Sequence, residues 1–468
     1  MKALIFYFKN IKMTEQLLDR CNIDRNEADI CDISCAGSIR NWANYEKIYI
    51  PWDCRMKLYS EYSQMGLDKV KLYNADLISG IVNTEKIQAV QKQALQDKRW
   101  KVCKDINEFM IFCNAINEQS YLNTVPLKLQ IETTDICNAK CIMCSHSYNP
   151  GSGKTILNSK LLTRLEPIFP FIKVIILHGN GEPFLLANIT EYLDKMSFYG
   201  IRFITNTNLS ILSDVLIERI RDSFEELNVS CDADEKELYE KIRVGLDFNQ
   251  FVENVCKVRK TCPHLRMRMT VVLMKQNVHR MAPMVEFASN LGFDEIVFNQ
   301  LCMDEKNQNT KDGAYLYPEK LMVNIKEAKR AGEIHGINVV LPNVDIDEED
   351  KKITSPQIKS RGICDWLLEC PYIDLNGNVA FCCINQGKII GNIFDKDLME
   401  IWNNEQYLLA RQAFYQGDIP QFCSGCDFLV QNRLHYMSQQ NYSLAGLKKG
   451  LRPVSYTHLR AHETGRNL

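Results

Sequence analysis

Between Leu127 and Leu301, short apolar runs alternate with longer stretches in which apolar residues recur every three or four positions. The short runs, Leu127–Thr134, Lys173–Gly179, Arg202–Asn206, Glu226–Cys231, Met267–Leu273 and Glu295–Leu301, predict strands. The stretches Lys160–Ile168, Ile189–Tyr199, Asp214–Phe224, Phe251–Arg259 and Met281–Leu291 predict amphipathic helices, and Gly200 and Gly292 close the second and fifth of them. A strand–helix repeat of about thirty residues marks consecutive βαβ units, whose right-handed crossovers give a parallel sheet. Six such units fall short of the eight in a closed barrel. The expectation is an α/β fold with an open, partial (β/α)6 TIM-like barrel spanning residues 121–335.

The flanks have different patterns. Residues 1–120 carry apolar runs at Ala3–Phe8, Lys47–Pro51 and Val70–Tyr73, with the amphipathic stretch Cys54–Gly66 between the last two. That order predicts a small, Rossmann-like α/β domain, although a GxGxxG fingerprint is absent. A helix is predicted at Pro318–His335, and residues 336–360 form a linker whose acidic run at 345–350 is expected to be a solvated loop. Residues 361–445 are cysteine-rich, with turn signals such as LNGNVAF. The last residues, 454–468, share no pattern with what precedes them and look like adapter-derived read-through. They are set aside as an artefactual tail, which implies that the natural C-terminus is missing.

Composition narrows the chemistry. The chain has 468 residues, 46% hydrophobic and 24% charged, and 56 Lys+Arg against 58 Asp+Glu give a net charge of −2. No basic field points to nucleic acid. No uncharged apolar run reaches the roughly 18 residues of a membrane span. The opening MKALIFYFKN lacks a small-residue cleavage site, so the reading is a cytoplasmic protein. In a reducing compartment the 19 cysteines are read as thiol or metal chemistry, not as disulfides. Cys21, Cys31, Cys35, Cys54, Cys103 and Cys113 are irregularly spaced and read as packed thiols.

The segment TTDICNAKCIMC places Cys137, Cys141 and Cys144 in a CxxxCxxC array just after a strand. Three thiolates this close can wrap one face of an iron–sulfur cube and leave one iron open to a small-molecule chelator. Structural zinc prefers a closed set of four, which His146 would complete.

This array resembles the radical SAM superfamily, whose hallmark is three such cysteines in the loop after the first barrel strand. The resemblance implies a 4Fe–4S cluster on Cys137, Cys141 and Cys144 that binds S-adenosylmethionine and cleaves it to a 5′-deoxyadenosyl radical. The radical then abstracts hydrogen from substrate, and a flavodoxin or ferredoxin supplies the electron. By the same resemblance Met143 packs on the adenine, and Gly179, Gly181 and Glu182 of LHGNGEP receive the cofactor's amino group. Thr205 and Asn206 of ITNTN meet the ribose, while Ser230 and Arg243 of LNVSCDADEKELYEKIRVG face the cofactor, Arg243 pairing with its carboxylate.

Downstream, Cys364, Cys382 after a G-x4-C spacing, and the CxxC pair Cys423 and Cys426 are similar to the SPASM or shortened twitch extension of these enzymes. That likeness implies one auxiliary 4Fe–4S cluster, with Cys370 and Cys383 as alternate ligands; a zinc ribbon is the competing reading. Cys231, Cys256, Cys262 and Cys302 lie within the barrel region, and only Cys302, past the last strand, is a candidate hydrogen donor or acid–base thiol. The expected function is radical modification of a peptide or protein side chain. The alternatives are oxidation or epimerisation of a small molecule such as a sugar or amino-cyclitol, and a non-catalytic zinc- or cluster-binding interaction protein.

Overall fold

Strand-forming runs near the N-terminus pair into a parallel four-stranded sheet in the computed structural model. Its strands are β1 (Lys2–Tyr7), β2 (Ala28–Asp32), β3 (Tyr45–Ile50) and β4 (Leu72–Asn74), in the order β2-β1-β3-β4. This is the order of doubly wound nucleotide-handling folds around their switch point, here between β1 and β3. The structure describes these strands' backbones, residues 91–116, 119–148, 150, 153, 159–301 and 310–342, strands 345–347 and 352–354, and residues 364–383, 388–416, 420 and 423. The stretch Cys54–Gly66 and residues 454–468 lie outside the described residues.

The chain divides into two compact units, one made of Met1–Thr124, Ile358–Leu368 and Asn403–Leu468, the other of Val125–Gln357 and Glu369–Trp402. In the first unit the helix Trp100–Ile116 precedes a segment tied to the later helix Glu405–Gln416 by Arg411. The Arg411 guanidinium is buried and donates to the carbonyls of Ser120 and Leu367 at 3.0 and 2.8 Å. Burial lowers its pKa to about 10.

The second unit contains the barrel. Strands β5 (Lys128–Ile131), β6 (Val174–Ile176), β7 (Arg202–Thr207), β8 (Phe224–Ser230), β9 (Arg266–Leu273) and β10 (Glu295–Gln300) pair in chain order, all parallel. Each crossover steps to the next neighbour, which curls the sheet in one direction. The predicted helices fall between the strands, and Gly200 and Gly292 adopt φ of 66° and 77° where helices end. A seventh parallel strand, β11 (Asn338–Val340), extends one edge after the helix Pro318–His335. Part of the expected acidic loop is instead strand: β12 (Asp345–Asp347) pairs antiparallel with β13 (Lys352–Thr354).

At the other edge the fold runs directly into the cysteine-rich segment. Strand β14 (Tyr372–Ile373) pairs parallel with β5, and β15 (Asn378–Ala380) and β16 (Gly391–Asn392) continue the sheet antiparallel. The LNGN turn joins β14 and β15. Asp374 accepts the backbone N–H groups of Asn376 and Asn378 at 2.8 and 2.9 Å, and Gly377 leaves room for the Phe394 ring, which a Cβ would approach to 2.7 Å.

A charged ladder closes the end of the barrel where its strands begin. Glu226 on β8, Arg266 and Arg268 on β9 and Glu295 on β10 interlock, Arg268 reaching Glu295 at 2.5 Å and Glu226 at 3.2 Å. Asn338 of β11 donates to Glu295 as well. Partly buried carboxylates of this kind are stabilising only when their donors are complete. Replacing Glu295 by Ala leaves Glu226 as the one carboxylate of the ladder for both arginines, and chemical denaturation should show a loss of about 1.5–3 kcal/mol. Wild-type stability of Glu295→Ala would show that the ladder carries no weight.

Candidate active site

The cysteine array occupies the loop after β5, and its shape is set by backbone pairing with a distant segment. Lys140 N–H donates to the Val244 carbonyl at 2.8 Å and Ile142 N–H to the Ile242 carbonyl at 3.0 Å. The two runs are antiparallel, so Cys141 lies directly across from Arg243, and opposed residues share one face. Gly245, at φ 95°, packs beside this ladder, where a Cβ would come within 3.2 Å of the Asn138 carbonyl. Asn138 is tied further by Asn208 and Ser210, at 3.0 and 2.8 Å. Past the array, Ser147 Oγ returns to the Cys141 carbonyl at 2.8 Å and Tyr148 OH to the Ile142 carbonyl at 2.7 Å.

Cys141 is buried, while Cys137 and Cys144 are half-buried. The three thiols are close enough to act on one another electrostatically. Burial pushes the Cys141 thiol up to about 11, with Arg243 the leading influence in the opposite direction. Burial raises the Cys137 thiol too. Left to themselves these groups hold their protons, and bound iron would displace them.

Arg243 is itself buried and pairs with Asp232 at 2.7 Å. Burial works against its charge, but Asp232 and then Cys141 outweigh that cost and hold its pKa above the ordinary arginine value. Asp232 also accepts the Val272 N–H at 2.7 Å. The donor set therefore suits an anionic iron–sulfur cluster: three neighbouring thiols, with a buried cation in electrostatic reach of Cys137 and Cys141 that keeps a guanidinium N–H without an acceptor among the described residues. His146 meets the Asp135 carbonyl through its Nε2 at 2.7 Å. Among the described residues no group of three His, Cys, Asp or Glu side chains converges as a single metal ion would need.

The GNGEP loop packs on the cysteine loop. A Cβ on Gly181 would sit 2.4 Å from the Thr134 carbonyl oxygen and 2.5 Å from that of Ile136. A Cβ on Gly179 would strike Glu132 at 2.5 Å. Glu182, expected to meet the cofactor's amino group, is buried with its carboxylate engaged by the protein. It accepts from Thr207 Oγ1 at 2.6 Å, Asn208 N–H at 2.7 Å and Phe184 N–H at 3.2 Å, while burial raises its pKa. Its position makes it a clamp between the β6 and β7 loops.

Side chains alternate across β7, so Thr205 and Thr207 share a buried face while Asn206 is exposed on the other. Thr205, expected at the ribose, instead donates to the Leu177 carbonyl at 2.9 Å. Asn206 and half-buried Ser230, at the ends of β7 and β8, and exposed Asn180 form the polar rim that remains. Met143 and Ile142 pack on Ile242, Met274 and Leu301, giving that rim an apolar wall. Arg243, expected to pair with a cofactor carboxylate, pairs with Asp232 through one arm of its guanidinium.

Two residues here went unassigned in the sequence. Glu132 accepts Asn180 N–H and Nδ2 at 2.9 and 3.0 Å. His178 accepts the Asn206 N–H on Nδ1 at 3.3 Å, and burial lowers its pKa to about 4, so it is neutral. Cys231, Cys256 and Cys262 are ordinary thiols: burial pushes the first to about 12 and the third to about 11, and Cys256 is exposed. Cys302 and Cys426 lie outside the described residues.

The remaining candidate ligands fall in both units. Cys364 and Cys423 belong to the first, Cys370, Cys382 and Cys383 to the second. Cys370 stands two residues before β14 and Cys382 two residues after β15, the strands in which Tyr372 pairs with Ala380. Burial drives the Cys370 thiol well up, with Lys128 the leading opposing charge; Cys382 and Cys383 are both within electrostatic range. Lys128 is paired with Glu369 at 3.3 Å.

Residues 131–288 match the radical SAM superfamily model, and residues 364–427 match that of the SPASM iron–sulfur cluster-binding domain. A probable GTP 3′,8-cyclase of Sulfurisphaera tokodaii is 25% identical over 198 residues, 41% of this chain and 60% of that protein. A GTP 3′,8-cyclase of Clostridium botulinum is 28% identical over 138 residues, 28% of this chain and 42% of that protein. The chain thus spans about half the length of the curated relatives it matches. Streptococcus suis SuiB bound to S-adenosylmethionine superposes with a TM-score of 0.52 at 14% identity, covering 85% of this chain and 90% of that one. SuiB bound to its precursor peptide SuiA gives 0.51 at the same identity and coverage. No helix among the described residues is long and apolar enough to cross a membrane. The cysteine loop, the open parallel barrel behind it and the matched segments agree: the chain carries a radical SAM domain over residues 131–288 and a SPASM iron–sulfur cluster-binding domain over residues 364–427.

Proposed function

We propose that the chain is a radical SAM enzyme that modifies a peptide or protein side chain by hydrogen abstraction. The observation that carries the reading is the three-cysteine loop, laddered onto Ile242–Val244 at the strand-end rim of the barrel with a buried cation opposite its central cysteine. When bound, the 4Fe–4S cluster and S-adenosylmethionine supply the one-electron chemistry that yields a 5′-deoxyadenosyl radical.

In this reading Cys137, Cys141 and Cys144 hold the cluster. Asn180, Asn206 and Ser230 offer hydrogen bonds to the polar parts of the cofactor, and Met143 offers an apolar, polarisable surface. Gly179, Gly181, Glu182 and Thr205 fix the loops that carry those groups. Cys364, Cys382, Cys423 and Cys426, with Cys370 and Cys383 as alternates, supply ligands for the auxiliary cluster. A flavodoxin- or ferredoxin-type reductant delivers the electron. The fold shared with SuiB, solved with its precursor peptide, supports a peptide substrate. A small-molecule substrate is the second reading, favoured by the nucleotide-directed names of the relatives and by the parallel β2-β1-β3-β4 order of the N-terminal sheet.

Anaerobically reconstituted protein given S-adenosylmethionine and dithionite should release 5′-deoxyadenosine, measured by liquid chromatography with mass detection. Cys141→Ala should reduce that release to background, whereas Cys423→Ala should keep it and lose turnover of substrate. Stoichiometric zinc without iron, or a Cys141→Ala variant as active as wild type, would overturn the reading.

Gly181→Ala tests the loop packing. The added methyl must displace backbone carbonyls of the cysteine loop, so iron uptake at the first cluster should fall severalfold while far-ultraviolet dichroism stays native. Unchanged iron uptake would show that the GNGEP loop does not shape the cluster site.

A further inference from the structure

The ladder that seats the cysteine loop has a consequence beyond ligand placement. Its two hydrogen bonds, from Lys140 to Val244 and from Ile142 to Ile242, leave Cys141 and Arg243 as the opposed pair between them, with side chains on one face. Arg243 is 6% exposed, and its Nε–H has no acceptor among the described residues. Burying a guanidinium donor unpaired is costly, and such a group normally persists where something further is to accept it. The other arm of the guanidinium is occupied by Asp232, which is fully buried and held in turn by the Val272 N–H. The Tyr239 hydroxyl in the same pocket is likewise buried without a partner among the described residues.

We infer that the Asp232–Arg243 couple is a positioning and tuning device for the iron–sulfur cluster of this loop, presenting the positive end of a buried ion pair to the Cys141 thiolate and setting the cluster's reduction potential. The inference rests on the radical SAM reading proposed above and deepens it. Net charge and hydrogen bonds to sulfur are the protein's main means of adjusting such potentials. Reduction adds one negative charge to an already anionic, buried group. A cation opposite Cys141 favours the reduced form, and the carboxylate behind it weakens that preference. Arg243 is the residue opposed to Cys141 in the ladder, and Asp232 is not part of it, so the cation is the member of the couple that faces the cysteine. The two residues therefore have opposite effects on one observable, which a purely structural role would not produce.

The test is a potentiometric titration of the cluster's electron paramagnetic resonance signal in the full-length reconstituted protein, with iron and sulfide content measured in parallel. Arg243→Gln should lower the potential, with the reduced-to-oxidised ratio at fixed potential falling about tenfold, equivalent to 59 mV for one electron. Arg243→Lys, which keeps the charge and loses the fork, should shift it less in the same direction. Asp232→Asn, close to isosteric, should shift it the opposite way. If Arg243→Gln fails to fold, the Asp232→Asn titration decides alone: a raised potential supports the inference, and an unchanged or lowered one overturns it. A wild-type cluster with all variants unmoved, or with Arg243→Gln and Asp232→Asn shifted in the same direction, overturns this inference and leaves the parent reading standing. Wild-type protein that takes up no iron overturns both.

Discussion

A short antiparallel pairing between residues 140–142 and 242–244 governs the geometry of this protein's site. It joins the loop after the first barrel strand to the end of the helix after the fourth, and so fixes where the cysteines stand relative to the strand ends. The surrounding contacts reinforce it. Gly245 and Gly181 let backbone approach the cysteine loop from two sides, and Asn138, Asn208 and Glu182 lash the β5, β6 and β7 loops together.

The barrel behind the loop supplies rigidity and leaves one end free for chemistry. Its strand-start end is filled by the Glu226–Arg266–Arg268–Glu295 ladder, which spends charge on internal pairing. Its strand-finish end keeps the polar rim and the cysteines. This polarity is the general one for parallel barrels, in which one end stabilises and the other reacts. The β14–β15 hairpin continues the same sheet from β5, so the thiols of Cys370 and Cys382 stand on an extension of the scaffold that carries the first cysteine loop.

Much of this could be read from residue order. The six core strands were legible because their apolar runs are short and regularly spaced, and the observed limits differ from the expected ones by a few residues at the ends. The cysteine array was legible because three ligands within eight residues leave little other use for them. Strand β11 was missed because three residues, Asn338–Val340, are too few to show a period. Asp345–Asp347 reads as loop by charge and becomes strand by pairing with Lys352–Thr354. The burial of Thr205 was available in the sequence, since RFITNT alternates and sets Thr205 beside Phe203 and Thr207. The Cys141–Arg243 opposition was not available: it follows from a hydrogen-bond register between segments about a hundred residues apart, which no local pattern encodes.

The central claim is that the three cysteines grip a cluster through three of its irons and leave the fourth open to S-adenosylmethionine. Comparing the paramagnetic resonance spectrum of the reduced protein before and after that compound is added tests this directly. The account predicts that its addition changes the g-values and line shape of the signal, and that Cys141→Ala removes the responsive signal. A spectrum that stays the same on addition, in protein carrying a full complement of iron and sulfide, would contradict it.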